Sequence, residues 1–488
     1  MNRISIDPIT RLEGHGKIDI FLDEEGAVAN AYLVIPELRG FEKFAEGRPV
    51  EEMPRITSRI CGVCPEAHHM AAAKACDAVY RVEVPPAGRK LRELLYSAFF
   101  IADHTTHFYI LAGPDFVVGV DAPPAERNIL GLIQKVGAEA GQRVIRCRGL
   151  AMDIVGTLGG KTIHPVCAIP GGMSKALGEE DRVRFEATAR EEVDFALSTL
   201  QLFHELVLKD KAFVDLILSD AYTMRTYYMG LVDSGNRVNF YDGQVRVVAP
   251  DGTEFVKYMP SEYLGVLAEH VEPWTYLKFP YLKQVGWKGL TTGSDSGVYQ
   301  ATPLSRLNVA DGMATPRAQE AYEEFYSTLG GKPVHHTLAT HWARLIELLY
   351  AAERLLELCV DAEITSPDVR RLPTETPSEG VGTVEAPRGT LTHHYVTDEH
   401  GIVQRANLIV GTTNNYAPMS IAVKKAAQAM IRKGQVIDQG ILNRVEMAFR
   451  AYDPCFGCAT HALPGQMPLE LRVRDAHGRV VEVLRNSF

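Results

Sequence analysis

The sequence predicts an α+β fold that is mainly helical, with a core built as a bundle of long helices and with β-hairpins at its periphery. Three observations favour this class. Several long stretches repeat apolar side chains at the helical period, and shorter stretches alternate as paired strands do. The 488 residues, 46% hydrophobic and 23% charged, have an ordinary globular composition. A chain of this length buries a large core.

The first long helix is predicted to begin at Pro85-Pro86. Its apolar residues recur at positions i, i+3, i+4, i+7, i+8 and i+11, which places them on one buried face: Leu91, Leu94, Leu95, Ala98, Phe99 and Ala102. The same periodicity predicts helices over 125–157, 180–219, 335–360 and 418–432. Long helices that pack together form a bundle, in which metal sites are built from inward-facing side chains.

Hairpins are predicted over 17–37 and 237–258, because alternating apolar residues flank a turn in each stretch. A third hairpin pattern occupies 469–484, close to the end of the chain. The stretch from Ser366 to Gly382 is rich in Gly, Pro, Ser and Thr, and it predicts a long surface loop. We find no internal repeat and no clear linker.

The formal charge of −10 disfavours nucleic acid or an anionic membrane as a partner. The first residues lack the charged leader and apolar stretch of a signal peptide, and no run approaches the roughly 18 apolar residues of a membrane span. We therefore expect a cytoplasmic protein.

Two Cys-x-x-Cys pairs, Cys61 with Cys64 and Cys455 with Cys458, lie near opposite ends of the chain. Each pair at this spacing aims two sulfurs at one metal ion, and Pro65 suits the first position of a helix that would favour the Cys64 thiolate. Paired motifs of this kind often hold structural zinc. Here 391 positions separate Cys64 from Cys455, and closing so large a loop merely for stability is costly.

The other four cysteines (Cys76, Cys147, Cys167 and Cys359) are scattered through apolar or helical sequence. Isolated cysteines in such surroundings are usually plain buried residues. They leave too few thiolates for an iron-sulfur cluster in this chain, so another protein chain would have to carry electrons away from the metal.

The two cysteine motifs, with their flanks, resemble the signature motifs of the nickel-iron hydrogenase large subunit. They read Arg59-Ile60-Cys61-Gly62-Val63-Cys64-Pro65-Glu66-Ala67-His68 and Asp453-Pro454-Cys455-Phe456-Gly457-Cys458-Ala459-Thr460-His461. Four further segments occur in the family's order: Arg11 to His15, Arg39 to Glu42, Asp103 to His107 and Glu385 to Gly389. The resemblance covers essentially the whole chain and implies that family's fold and reversible oxidation of H₂ to protons and electrons.

The resemblance implies that all four cysteines bind nickel, with Cys64 and Cys458 also bridging to an iron that carries cyanide and carbon monoxide. Soft thiolates suit such a metal. Heterolysis of H₂ also needs a base, for which we expect Cys455. The family's proton relay corresponds to Glu13, whose pKa burial would raise. Local sequence alone favours Glu13 as a surface carboxylate that ends a strand, whereas the full set of motifs favours the relay.

Arg388 matches the family arginine that approaches the iron's cyanide, a role suited to a delocalised cation. Asp103 and Asp453 match the carboxylates that hold it, and Pro387 matches an apolar neighbour. The alternative for Asp103 is a solubilising role, since it forms only an i, i+4 pair with His107. Thr412-Thr413 resembles the hydroxyl site for the other cyanide, although Gly411 to Asn415 departs from the family's commoner form.

A second metal, magnesium or a similar ion, is implied by the correspondence of Glu42 and His461 to family ligands, with the backbone carbonyl near Leu408 contributing. Oxygen ligands suit magnesium. Taken alone, Glu42 beside Lys43 would be a solvated charge pair.

Family members usually carry a tail that a maturation protease removes after the histidine of the second motif, once nickel chaperones have loaded the metal. The resemblance therefore divides this chain into a body, 1–461, and an extension, 462–488, in a precursor or in a member that keeps its tail. Expected partners are an iron-sulfur small subunit, together with further iron-sulfur or flavin subunits.

Phrases around the first motif and Gly113 to Phe116 most resemble the hydrogenases linked to heterodisulfide reductase, also called methyl-viologen-reducing. NAD(P)-linked relatives are the alternative. Two further hypotheses are a complex I homologue that has lost the cysteines, against which four intact cysteines argue, and a zinc-stabilised scaffold without redox chemistry.

Overall fold

The computed structural model describes residues 2–35, 40–272, 275, 278–456, 470–474 and 480–485. Its α-helices are α1 Phe41–Ala45, α2 Met53–Thr57, α3 Pro65–Val79, α4 Pro86–Thr106, α5 Gly113–Val117, α6 Ile129–Val136, α7 Ala138–Gly159, α8 Glu179–Phe203, α9 Lys211–Leu218, α10 Tyr263–Val266, α11 Pro303–Val309, α12 Pro316–Thr328, α13 Thr340–Cys359, α14 Tyr416–Met430 and α15 Gln439–Arg450. π-Helical turns extend α4 over His107–Ala112 and α8 over His204–Leu208.

The strands are β1 Asn2–Asp7, β2 Lys17–Leu22, β3 Val28–Val34, β4 Ala168–Ile169, β5 Gly172–Met173, β6 Tyr227–Val232, β7 Gln244–Val248, β8 Glu254–Tyr258, β9 Leu267–Val271, β10 Lys278–Leu282, β11 Tyr299–Gln300, β12 Glu379–Ala386, β13 Gly389–Thr397, β14 Val403–Ile409, β15 Glu470–Arg474 and β16 Val480–Arg485. The three larger sheets have the strand orders β16-β15-β1-β2-β3, β11-β6-β7-β8 and β12-β13-β14. Neighbouring strands run antiparallel except β11 and β6.

Four long helices, α4, α7, α8 and α13, pack against one another. Helix α13 is buried along nearly its whole length, whereas α8 has one charged face exposed to solvent. Gly137 separates α6 from α7 with a backbone φ of +95°, so the single helix expected over 125–157 is wrong. The 180–219 expectation likewise divides into α8, a π-turn and α9, because the chain leaves helical geometry at Asp210, which caps α9 with its carboxylate.

The surface loop expected over 366–382 is wrong at its end, because Glu379 already begins β12. The sequence of β12 and β13 does not alternate between apolar and polar residues, because nearly every residue is buried and both faces of these strands lie inside the protein. The sheet packs on α3 at very short range. A Cβ on Gly382 would overlap the backbone oxygen of Ala71, so only glycine allows this approach.

The hairpin between β12 and β13 positions the site. Ala386 pairs with Gly389, so its turn consists of Pro387 and Arg388 alone. Gly389 has a φ of +145°, and a Cβ there would strike the backbone oxygens of Ala301 and Gly411. The turn is therefore embedded in the protein and carries Arg388 inward.

Candidate metal centre

The first cysteine motif folds as its sequence predicts. Cys64 is the N-cap residue of α3, and Pro65 occupies the first turn. The backbone N–H of Cys64 donates to Cys61 Sγ at 2.8 Å, which stabilises negative charge on that sulfur. Both cysteines are at most 5% exposed, so their sulfurs face the interior.

The second motif follows α15 and pairs with the segment that carries Glu13. Glu13 N–H donates to Pro454 O at 3.4 Å, and Phe456 N–H donates to Glu13 O at 2.9 Å. Asp453, just before this pairing, has a left-handed φ of +54°, a strained conformation for a residue other than glycine. The ends of the chain are thus joined at the site by backbone hydrogen bonds.

Three of the four predicted metal-binding sulfurs converge. Cys61 and Cys64 are in direct sulfur-sulfur contact, and Cys61 Sγ lies 3.2 Å from Cys455 Sγ. All three sulfurs lie within 4.8 Å of one another. Cys458 lies outside the described residues.

Glu13 lies against the same sulfur cluster. The Cys455 thiol donates to Glu13 Oε2 at 2.9 Å, and Glu13 is only partly exposed. Glu13 therefore has a thiol partner in the sulfur cluster, although its side chain remains partly exposed at the surface. A carboxylate in this position is able to accept a proton directly from the thiol.

The segment before Glu13 is anchored by a buried ionic network. Thr10 N–H donates to Glu446 Oε1 at 3.0 Å, and Arg11 Nη2 binds Asp115 Oδ1 at 2.5 Å. Arg450 Nη1 reaches the other oxygen of Asp115 at 2.7 Å. Although burial acts in the opposite direction, Arg450 and Arg11 lower the pKa of Asp115 to about 2, so Asp115 is ionised at neutral pH.

Arg388 is held by both carboxylates that the resemblance assigns to it. Nη1 donates to Asp103 Oδ2 at 2.9 Å, and Nη2 lies 2.9 Å from Asp453 Oδ2. All three residues are at most 4% exposed. The solubilising role considered for Asp103 is therefore wrong, because its side chain is buried on Arg388.

The two carboxylates differ in acidity. Burial raises the pKa of Asp103 to about 6, even though Arg388 acts against the rise. Burial also acts on Asp453, but Arg388 and His107 lower its pKa below the ordinary value. Two contacts contribute to the difference: His107 Nδ1 lies 3.0 Å from Asp453 Oδ1, and the charge of Asp453 raises the pKa of Asp103. At neutral pH both carboxylates are charged, and Asp103 is the first to take a proton as the pH falls.

Beneath the turn, Arg306 supports the backbone of this hairpin. Its guanidinium donates to Ala386 O at 2.9 Å and to Pro387 O at 3.2 Å. Glu347 and Glu385 neutralise it with contacts of 2.5 and 3.0 Å. These groups are fully buried, and removing one partner of such a set typically costs about 3–5 kcal/mol. Pro387 is buried and contributes its carbonyl as well as an apolar ring.

Thr412 and Thr413 lie on a 3₁₀ turn over Gly411–Asn415. Cys455 N–H donates to Thr412 Oγ1 at 3.3 Å, which brings Thr412 to the cluster. Thr413 is fully buried, and its N–H donates to Val410 O. Asn415 Nδ2 also donates to Arg388 O at 2.7 Å, so this turn and the Arg388 turn are fixed to each other.

The second predicted metal site is only partly described. Glu42 lies on α1, Leu408 is fully buried on β14, and α1 packs against β14. Among the described residues, Glu42 Oε1 is buried without a hydrogen bond and lies 3.7 Å from Lys278 Nζ. Glu42 is therefore not a solvated pair with Lys43, which contacts Glu46 instead. His461 lies outside the described part of the chain.

Several residues of the polar network were not assigned from the sequence: Arg306, Arg344, His341, Glu347 and Asn415. All are at most 3% exposed. The sequence feature that could have pointed to them is the set of charged residues that interrupt the apolar pattern of α13. A charge on a buried helical face requires a partner.

The donor set fits a nickel-iron centre. Three cysteine sulfurs that converge within 4.8 Å of one another offer a set of ligands to a single metal ion. Soft sulfur ligands are those that nickel and iron favour, and a base and a guanidinium already flank them. The four remaining cysteines are buried away from the site, as expected.

Comparison with known proteins agrees with this chemistry. The family described as "Nickel-dependent hydrogenase" matches residues 39–141 and 279–461, and one described as "HoxL-like" matches residues 3–38. The chain belongs to the nickel-dependent hydrogenase family. It is the catalytic large subunit of a nickel-iron hydrogenase, an oxidoreductase that acts on H₂. This finding rules against the zinc-stabilised scaffold.

Individual relatives of this hydrogenase large subunit match along their whole length. An F420-non-reducing hydrogenase iron-sulfur subunit of Archaeoglobus profundus is 50% identical and covers 100% of both chains. An F420-non-reducing hydrogenase subunit of Methanothermobacter thermautotrophicus is 41% identical over 99% of this chain and 100% of its own. The "NAD-reducing hydrogenase HoxS subunit beta" of Cupriavidus necator is 38% identical over 98% and 99%.

A solved NAD⁺-reducing nickel-iron hydrogenase, in its H₂-reduced state, has a TM-score of 0.87 to this hydrogenase large subunit. It is 38% identical, with 94% of this chain and 100% of the other covered. The nickel-iron-selenium hydrogenase of Dm. baculatum, at 24% identity and a TM-score of 0.74 over 94% and 99%, shares the fold. In the described part of this chain, no helix combines the length and the apolar character of a membrane span.

Proposed function

We propose that Cys61, Cys64, Cys455 and Cys458 hold the nickel, and that Cys64 and Cys458 also hold an iron with cyanide and carbon monoxide ligands. The convergence of Cys61, Cys64 and Cys455 supports the assignment. When bound, this centre supplies the Lewis acidity and the electron acceptor that H₂ cleavage requires.

The protein's own part in cleavage is to take the proton. The observation that carries this proposal is the 2.9 Å hydrogen bond between Cys455 Sγ and Glu13 Oε2. Cys455 acts as the base, and Glu13 receives the proton from its sulfur. Because backbone hydrogen bonds join the two segments on both sides of Glu13, the donor and acceptor stay within reach during turnover.

Arg388 supplies a fixed cation beside Cys455. Asp103 and Asp453 hold its guanidinium from two sides, so its orientation is set before H₂ arrives. We propose that Arg388, with Pro387 alongside, faces one cyanide of the iron. Thr412 or Thr413 would donate to the other, and the contact of Thr412 with Cys455 N–H favours Thr412.

A magnesium-like ion at Glu42, the Leu408 carbonyl and His461 is the second metal proposed. Glu42 Oε1 is buried and lacks a hydrogen bond among the described residues, with Lys278 Nζ 3.7 Å away, which supports Glu42 as an oxygen ligand. We propose that a maturation protease removes 462–488 from the 1–461 body after nickel chaperones have loaded the centre. Because β15 pairs with β1, the tail would lie along the first sheet until it is removed.

Electrons leave to an iron-sulfur small subunit, since relatives are subunits of multi-subunit hydrogenases. We propose that it docks beside the first cysteine motif, where Val63 is 37% exposed between Cys61 and Cys64. A groove of about 690 Å³ adjoins this loop. It is lined by Gly40, Phe41, Phe44, Arg55, Ile56, Arg59 and Lys161. Its exposed aromatic ring and three cations suit an apolar, acidic partner surface.

Further iron-sulfur or flavin subunits would then deliver the electrons to a heterodisulfide reductase-type complex. The 50% identity to an F420-non-reducing hydrogenase favours this acceptor over NAD(P). A purified complex is expected to reduce methyl viologen with H₂ but not NAD⁺. Rapid NAD⁺ reduction would instead establish the NAD(P)-linked alternative.

Metal analysis tests the centre itself. We expect nickel and iron in equal amounts, with infrared bands from cyanide and carbon monoxide. Cys455→Ser is expected to lose nickel, whereas the matched change of a buried cysteine away from the cluster, Cys359→Ser, retains it. Zinc in place of nickel, or equal retention by both variants, would overturn the assignment.

A further inference from the structure

Two buried histidines continue the network behind Arg388. His107 Nδ1 lies 3.0 Å from Asp453 Oδ1, and His107 Nε2 lies 3.4 Å from His341 Nδ1. The two rings are nearly parallel, with an interplanar angle of 17° and centroids 5.5 Å apart. Both residues are at most 3% exposed. A continuous line of contacts therefore runs from Arg388 through Asp453 and His107 to His341.

The chemistry of these groups fixes where the protons lie. Asp453, paired with Arg388, is a carboxylate and only accepts hydrogen bonds, so its 3.0 Å contact with His107 Nδ1 is attractive when that nitrogen carries the proton. Burial lowers the pKa of His107 to about 4 and lowers that of His341 well below its ordinary value, so each ring is neutral with one N–H. His107 Nε2 is then a bare acceptor, and His341 Nδ1 must be its donor.

We propose that His341 is a positioning residue for Arg388, acting through His107 and Asp453. Donation from His341 holds His107 in the tautomer that presents Nδ1–H to Asp453 Oδ1. Asp453 then has a fixed orientation in which Oδ2 is left for Arg388. The proposal rests on the role of Arg388 at the metal centre given under the proposed function.

The surroundings leave His107 without another way to fix its tautomer. Among the described side chains, His341 alone hydrogen-bonds His107 Nε2. Arg344, three residues after His341, is a cation and has no acceptor to offer, and Phe116 meets the His341 ring edge-on. Without the His341 N–H, His107 is free to turn a bare nitrogen toward Asp453, which repels the carboxylate.

Two variants separate positioning from packing. His341→Asn keeps an N–H donor close to the place of Nδ1, and His341→Leu fills similar space without one. The matched control is His335→Leu. His335 also stacks on an aromatic ring, Tyr228, and bonds its hydroxyl through Nδ1 at 2.6 Å, and burial lowers its pKa to about 4. It makes no contact with Arg388, Asp453 or His107 among the described residues.

In the assembled, metal-loaded complex we expect His341→Leu to lower kcat for H₂ oxidation about tenfold, the effect of losing one buried hydrogen bond, with KM for H₂ unchanged. His341→Asn should stay within about twofold of the unaltered enzyme, and His335→Leu should lower Tm without changing kcat. Equal loss in both His341 variants, or no loss in His341→Leu, would overturn the proposal.

Nitrogen-15 NMR of labelled histidine gives a readout independent of turnover. His107, assigned by the signal lost in His107→Gln, should show the Nδ1–H tautomer in the unaltered protein and a mixture in His341→Leu. An Nε2–H tautomer in the unaltered protein would refute the proposal. Because the tautomer is read whether or not H₂ is oxidised, failure of the proposed metal centre is distinguishable from failure of this inference.

Discussion

Cys455 donates from its sulfur to Glu13 Oε2 across 2.9 Å, although 442 positions separate the two residues in the chain. The contact is not a chance approach of two side chains, because the Glu13 and Cys455 backbones also form a parallel β-bridge. The segments that carry Cys455, the proposed base, and Glu13, the proposed relay, are therefore joined as one structural unit.

Glu13→Gln tests that unit. Glutamine occupies the same space and still accepts a hydrogen bond, but it does not take up the proton, so we expect nickel and iron content to stay normal. Exchange of D₂ with solvent protons should fall by about 100-fold or more. Glu24→Gln, an exposed change in the β2–β3 turn, is the control. Exchange at the normal rate in Glu13→Gln would remove Glu13 from the proton path.

Arg388→Lys tests whether Arg388 must be held by both Asp103 and Asp453. A lysine ammonium is a point charge and does not reach Asp103 and Asp453 with two separately directed donors. We expect kcat for H₂ oxidation to fall about 10–100-fold while both metals remain bound. Arg354→Lys on the outer part of α13, where arginine pairs with Glu93, should change the rate by less than about twofold. Similar rates for the two variants would contradict a directed role for Arg388.

Gly382→Ala tests the close packing of β12 on α3. The new methyl group would overlap backbone atoms of Ala71 and Ala75, which are held in a helix and move only together. We expect the free energy of unfolding to fall by more than about 2 kcal/mol, with loss of nickel, because α3 positions Cys64. Gly149→Ala on α7, where a Cβ meets open space, should raise the free energy of unfolding by up to about 1 kcal/mol. Calorimetry measures both; an unchanged Tm in Gly382→Ala would disprove the packing argument.

Glu192→Gln tests a buried acid away from the metal. Glu192 on α8 is fully buried, and neither carboxylate oxygen has a hydrogen bond among the described residues. Burial raises its pKa from 4.5 to about 8. Between these values the unfolded chain releases a proton that the folded protein retains, so stability falls as the pH rises through this window and the loss is complete above it.

The substitution removes this loss, because glutamine does not ionise. The difference in the free energy of unfolding between Glu192→Gln and the unaltered protein should therefore grow in favour of the variant by a few kcal/mol from pH 4.5 to pH 8, at about 1.4 kcal/mol per pKa unit. Urea titrations at several pH values measure it. Glu191→Gln is the control, since Glu191 is ion-paired with Arg146, which lowers its pKa. A pH-independent difference for Glu192→Gln would contradict the raised pKa.

Phe44→Asp tests the proposed small-subunit surface. Phe44 is 51% exposed beside three cations, so an aspartate there is tolerated by the fold but opposes burial against a partner. We expect the affinity for the small subunit to fall more than about tenfold, measured by co-purification and titration. Leu372→Asp, at a site 72% exposed elsewhere, should leave affinity unchanged. Equal affinities would place the interface on another face.

The sequence predicted long-helix positions well, because apolar periodicity reports local geometry. It failed at Gly137 and at the start of β12, where backbone conformation and two-sided burial decide the element. The tail strands β15 and β16 occupy the predicted positions and pair with each other, but only the structure shows that β15 also pairs with β1. The alternation of residues within a strand does not indicate which distant strand it pairs with.

By itself, the sequence identified the candidate groups of the site: residue type and near-neighbour spacing gave the four cysteines in two motifs, and the family resemblance added Glu13 and Arg388. Only the tertiary structure shows these groups in contact. It joined Glu13 to Cys455, placed Arg388 between Asp103 and Asp453, and brought in His341 and Arg306. Those contacts depend on packing between distant segments. The free energy of that packing comes from the whole buried core, so no single stretch of sequence predicts it.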